Sequence, residues 1–136
     1  MSIQSNIEQQ KKFGEAVNSG ELERFKELVA ENCVDHDPAD GQVAGPQGYI
    51  AFFTELRTAF PDLKLEVKQL VADENNVSFA YEITGTHSGV FMGIPATGKP
   101  IKAHGLQISK FTQGKMTERW GSSDQLGILK QLGKEI

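Results

Sequence analysis

The main change in apolar spacing along this 136-residue chain falls at Leu63. Before that point apolar residues recur at helical intervals, and after it they alternate until a short final helix. The switch constrains the fold more than any motif, because a helical stripe and a strand face need different packing partners. On the helical side, Ile3, Ile7, Gln10 and Val17 fall near one stripe, and Leu22, Phe25, Leu28 and Val29 make a second. Asn18-Ser19-Gly20 supplies an ending and a new cap between them. Glu21 and Glu23 fall in the following first turn, where the helix dipole favours negative charge. Gly45-Pro46 announces a third helix with an apolar face of Tyr49, Ile50, Phe53, Leu56 and Phe60, stopped by Pro61.

After the switch, Leu63, Leu65, Val67, Gln69 and Val71 read as one face of a long strand, and Asp73 to Asn76 as a turn. Val77, Phe79, Tyr81 and Ile83 alternate through the next strand. Gly89 to Gly98 form a loop marked by glycine and proline that carries two exposed-looking apolar residues, Phe91 and Met92, as a lid or an interface would. Residues 100 to 111 alternate again, TQGK at 112 to 115 is a hairpin turn, and Met116 to Ser122 run back. A short last helix follows, lined by Leu126, Leu129 and Leu132, with Ser122 or Ser123 available as cap and Gly133 as stop. Helices first and an antiparallel sheet afterwards make an α+β fold, with the helices on one face of a curved sheet and a cavity between the layers.

One domain is expected at this length, spanning 1-136. A net charge of -4 with no basic block argues against nucleic acid. Cys33 is the only cysteine, so an internal disulfide is excluded and a cytoplasmic setting is expected. The N-terminus has no apolar run of signal-peptide length, and no membrane partner is expected.

The segments VDHDPADGQVAGPQGY, LRTAFPDLKLEV, GTHSGVFMGIPATGKP and ERWGSSDQLGILKQLG together resemble the SnoaL-like polyketide cyclase family of the nuclear transport factor 2-like superfamily. The likeness covers nearly the whole chain. It implies a cone of bent antiparallel sheet closed by three helices, a pocket inside, and a homodimer formed through the outer sheet face. It further implies an intramolecular aldol ring closure of a polyketide ester, with an aspartate as acid/base and no metal or cofactor. Matching the GIPATGKP loop and the QLG ending without insertion puts that aspartate's position on Gly121 and its histidine partner on Gln107.

With the family carboxylate vacated, Asp124 is the candidate proton acceptor, set against its alternative as a helix cap. Strand parity separates Glu118, Trp120 and Ser122 from Thr117, Arg119, Gly121 and Ser123, and Glu118 reads as a solvent or cross-strand charge. His36, Tyr81, Gln107 and Trp120 are the candidate ligand-binding residues: His36 at the pocket mouth by resemblance, Tyr81 and Gln107 as hydrogen-bonding groups, Trp120 as core or platform. Phe79 and Phe111 are possible walls. His87 reads as an exposed strand-end residue near the loop, His104 as an outer-face residue, and Cys33 as a small buried apolar group. DHDPAD tempts a metal reading, but DPADG is a turn sequence, so no metal site is expected. Two functions remain open: a cofactor-independent enzyme acting by acid/base chemistry on a small apolar carbonyl compound, or a non-catalytic module that binds a small apolar organic ligand or dimerises.

Overall fold

The computed structural model describes residues 2–135. Helix α1 (Ile3–Ser19) begins where Ser2 Oγ accepts the Ser5 N–H at 3.0 Å, and ends at Gly20 in the left-handed conformation. Its inward face is Asn6, Gln10, Phe13, Ala16 and Val17, whereas Ile3 is exposed and Ile7 only half-buried. The second stripe is shorter than its spacing suggests. Leu22–Arg24 is a 3-10 turn, α2 (Phe25–Leu28) is one turn of helix, and Val29 already opens strand β1 (Val29–Asp35).

β1 runs parallel to its neighbour at the sheet edge, and its register shifts between Val29 and Val34. That irregularity hides the strand from pattern reading: only Val29 and Cys33 are buried, four residues apart, which is a helical interval. Helix α3 (Pro46–Ala59) then closes the aromatic part of the core. Phe13 stacks on Phe25 at 4.5 Å between centroids, and Tyr49 meets Phe13 edge-on at 5.8 Å, so α1, α2 and α3 share one cluster.

Strands β2 (Lys64–Ala72), β3 (Asn76–Thr86), β4 (Pro100–Thr112) and β5 (Lys115–Ser123) form an antiparallel meander in a curved sheet of order β1-β5-β4-β3-β2. Helix α4 (Gln125–Gln131) follows. The fold is α+β with the helices on one sheet face, as the period switch implies. Among the described residues no helix is long and apolar enough to cross a membrane.

Two bulges reset the strand faces. One between Val67 and Gln69 flips β2, so that Leu70 and Ala72 turn inward and Val71, expected beside Leu65, is 63% exposed. The other lies opposite the Lys110/Phe111 step, and after it Arg119, Gly121 and Ser123 share the inner face of β5. On β4 the inner residues are Ile101, Ala103, Gly105, Gln107, Ser109 and Phe111, with His104, Leu106 and Ile108 outside. Gly105 has a steric reason: a Cβ there would lie 2.3 Å from Tyr81 Cζ, so the tyrosine ring lies over bare backbone.

Candidate active site

Between the helices and the inner sheet face is a hollow of about 380 Å³. Its walls are mostly apolar, from Phe13 of α1, Phe52, Phe53 and Leu56 of α3, and Leu65, Leu70, Phe79 and Ile83 of β2 and β3. A smaller space of about 260 Å³ adjoins it, bordered by Asp35, Asp37, Gln42 and Tyr49. Phe13, Phe53, Gln107, Arg119 and Ser123 wall both, so the second space is a mouth of the first.

Arg119 is the charged centre of this arrangement. Its Nη1 donates to both oxygens of Asp35 at 3.1 Å, and its Nε donates to Gln107 Oε1 at 2.8 Å. Gln107 in turn donates to Ser109 Oγ at 2.9 Å. Asp35 also accepts the Tyr49 hydroxyl at 3.0 Å, Gln42 Nε2 at 3.3 Å and the Asp37 N–H at 2.9 Å. Both oxygens of Asp35 are thereby engaged, which makes it an anchor for the guanidinium. Nη2 lies against Gly121: a Cβ at that position would be 2.6 Å away. The glycine makes room for the guanidinium, which occupies the space that a side chain at 121 would fill.

Burial pushes the Tyr49 hydroxyl far up, reinforced by the Asp35 charge. Burial also pushes the Cys33 thiol up to about 11, only partly offset by its hydrogen bond with Tyr49. Both stay protonated at neutral pH. Tyr81 and Ser123 share a hydroxyl–hydroxyl bond of 2.6 Å on the cavity wall.

Of the residues singled out in the sequence, Tyr81 and Gln107 line the hollow. Asp124, His36 and Trp120 do not. Asp124 is the N-cap of α4, its carboxylate accepting the Gly127 N–H at 2.9 Å, so the cap alternative describes its position. His36 follows Asp35, and strand alternation that turns Asp35 inward turns His36 out. Its ring stacks on Trp120 at 4.5 Å with planes 10° apart, and Nε2 meets Glu118 Oε1 at 3.0 Å. Trp120 is therefore an outer-face residue, and that histidine, followed by Lys110, holds the Glu118 carboxyl below its usual range. His104 is on the outer face, as parity requires.

His87 departs from its expected exposure. It is fully buried against Phe60, with Nδ1 bonded to the Thr97 hydroxyl and N–H, and so ties down the loop after β3. Phe91 of that loop lines the hollow, while Met92 turns outward. The residues that border the hollow or its mouth and that the sequence left without a site role are Arg119, Asp35, Asp37 and Ser123. Parity had already put Arg119 and Ser123 on the Gly121 face. Asp35 and Asp37 stood out only as acids of the DHDPAD turn, because the irregular β1 offers no strand pattern that sets their faces.

The family profile for SnoaL-like polyketide cyclases matches residues 8–132. This chain belongs to that family. Its relatives include an aklanonic acid methyl ester cyclase of Streptomyces peucetius, DnrD, 24% identical over 97% of this chain and 93% of the relative. A second, DauD of Streptomyces sp. strain C5, is 26% identical over 88% and 76%. A solved protein of Acidithiobacillus ferrooxidans, proposed to be a polyketide cyclase, is 33% identical, covers 97% of both chains and superposes with a TM-score of 0.83. TsrD of Streptomyces laurentii shares the fold at a TM-score of 0.89, with 22% identity over 98% of both chains. Family membership supports a cyclase-type function and fits the curved sheet, the N-terminal helices and the hollow.

Proposed function

We propose that this family member is a cofactor-independent enzyme that closes a ring in a small, largely apolar, polyketide-derived carbonyl compound held in the hollow. The observation that carries the reading is Arg119, a guanidinium fixed on two sides in a mostly apolar cavity with Nη2 directed to the space over Gly121. An aldol closure develops negative charge on oxygen twice, first in the enolate and then in the alkoxide formed with the new carbon–carbon bond. A prepositioned N–H donor beside a low-dielectric pocket stabilises both.

The proton acceptor in this reading is Asp37. Its Oδ2 accepts the Gly121 N–H at 2.9 Å, so a carboxylate from the segment after β1 stands beside the position that the family resemblance vacates. It borders the mouth together with Arg119 and Gln107. Asp37 removes the α-proton, the enolate carbon attacks the second carbonyl, and the alkoxide regains the proton, so atoms balance without a co-reactant. Tyr81 of β3 and Ser123 of β5 orient the substrate from the same sheet wall as Arg119. Outer-face apolar residues Val71, Leu106 and Ile108 support the further reading that two copies associate through the sheet.

The test is solvent deuterium exchange, read by mass, into the α-position of aromatic β-keto methyl esters that carry a second ketone, with ring closure, which leaves the mass unchanged, followed by chromatography and by loss of that ketone's NMR signal. Asp37→Asn is expected to stop exchange and closure with affinity nearly unchanged, and Arg119→Lys to slow both. A protein that binds these esters yet neither exchanges nor closes them would instead be the non-catalytic ligand-binding module. The loss of a carboxylate at 121, with Arg119 in its space, is the observation that favours that second reading.

A further inference from the structure

The inward face of α1 is apolar from Phe13 onward, but it carries two amides before that. Asn6 does not line the hollow: its Nδ2 donates to the Glu74 carbonyl at 2.9 Å, and its Oδ1 has no partner among the described residues. Gln10 is 4% exposed, lines the hollow, and its Oε1 has no hydrogen-bond partner among the described residues. A buried amide oxygen left unpaired is costly, and an apolar residue at the same position would line the hollow without that cost. The amide can also turn about its last bond, presenting either its NH2 or its C=O to the cavity.

We propose that Gln10 is a specificity-determining residue that reads a hydroxyl group on the bound molecule. This rests on the reading of the hollow as a substrate site and adds the substrate's chemistry. The ligand is an oxygenated ring compound: a carbonyl oxygen meets Arg119 on the sheet wall, an apolar body fills the space, and a hydroxyl meets Gln10 on the helical wall. No described protein group pairs with Oε1, and an occupant's hydroxyl satisfies it. Discrimination follows, because a ligand that lacks the hydroxyl leaves the amide buried and unsatisfied.

Two probes that differ only at that group test this: 6-acetyl-2-naphthol and 2-acetyl-6-methylnaphthalene, titrated against the intact chain by fluorescence. The readout is how the ratio of their two dissociation constants changes on mutation. Gln10→Met, which keeps side-chain length, and Gln10→Leu are each expected to shift that ratio against the hydroxyl probe by roughly tenfold. Both variants should melt at or above the wild-type temperature, since each removes a buried unsatisfied group. A ratio unchanged in both variants overturns the assignment, as does a lower melting temperature with an unchanged ratio, which would mark a structural amide paired to a buried water. Arg119→Met separates the two readings: it should weaken both probes alike, because both keep the acetyl group. If the wild-type protein binds neither probe, the substrate-site reading and the Gln10 assignment fall together.

Discussion

Replacing Asp35 with asparagine would test whether Arg119 is held by a buried charge pair. The Asp35 side chain is 6% exposed and that of Arg119 is 16% exposed, so water screens the pair only weakly. Asparagine keeps the shape and one acceptor oxygen for Tyr49 or Gln42, and removes the charge. Arg119 would then retain Gln107 but lose its one carboxylate partner among the described residues. Breaking a fully buried pair costs about 3–5 kcal/mol; discounting for the exposed sixth of Arg119 and the surviving acceptor leaves about 2–3 kcal/mol. An unfolding entropy of about 2.1 cal/mol/K per residue over 136 residues is about 290 cal/mol/K, so the melting temperature should fall by about 7–10 °C. Calorimetry at neutral pH measures this, and a double-mutant cycle with Arg119→Met isolates the coupling. A loss below about 0.5 kcal/mol, or a coupling energy near zero, would refute the argument that this pair positions the guanidinium.

Asp124→Ala should cost about 0.5–2 kcal/mol by removing the α4 cap while leaving ligand affinity unchanged; thermal melts and titration of the same sample check both. The raised Cys33 thiol stays protonated longer in the folded than in the unfolded protein. Its contribution to stability is therefore complete below about pH 9 and is lost between pH 9 and about 11, so denaturant melts across that range should weaken in wild type more than in Cys33→Ala. At pH 8 the same thiol should resist alkylating reagents until the chain unfolds. Trp120 is the single tryptophan and is 37% exposed on the outer face, so its emission should stay constant when a ligand fills the hollow and shift when the outer face is covered. A ligand-dependent shift under conditions where the oligomeric state is constant would place the ligand elsewhere.

The change of apolar spacing at Leu63 was enough to order the helices before the meander, because burial on one face is written as a period in local sequence. Alternation through Val77 to Ile83 and Ile101 to Phe111 likewise grouped Tyr81 with Phe79 and Gln107 with Phe111 on single faces, and the family resemblance implied that the Gln107 face is the cavity side. Parity on β5 even separated Arg119 and Gly121 from Trp120. Pattern reading failed where the chain breaks its own period: at β1, whose buried residues mimic a helix, and at the β2 bulge that turns Val71 outward.

The site depended on contacts that local pattern does not encode. Asp35 and Arg119 are 84 positions apart and meet only because β1 pairs in parallel with β5, a long-range register that no window of sequence contains. The same pairing turns His36 away from the cavity and places Asp37 on the Gly121 amide. Gln10 shows the complementary case: its place on the inward stripe was legible, but its lack of a partner emerges only when the helices close over the sheet. Periodicity encodes which way a residue points; what it meets there is decided by packing between distant segments.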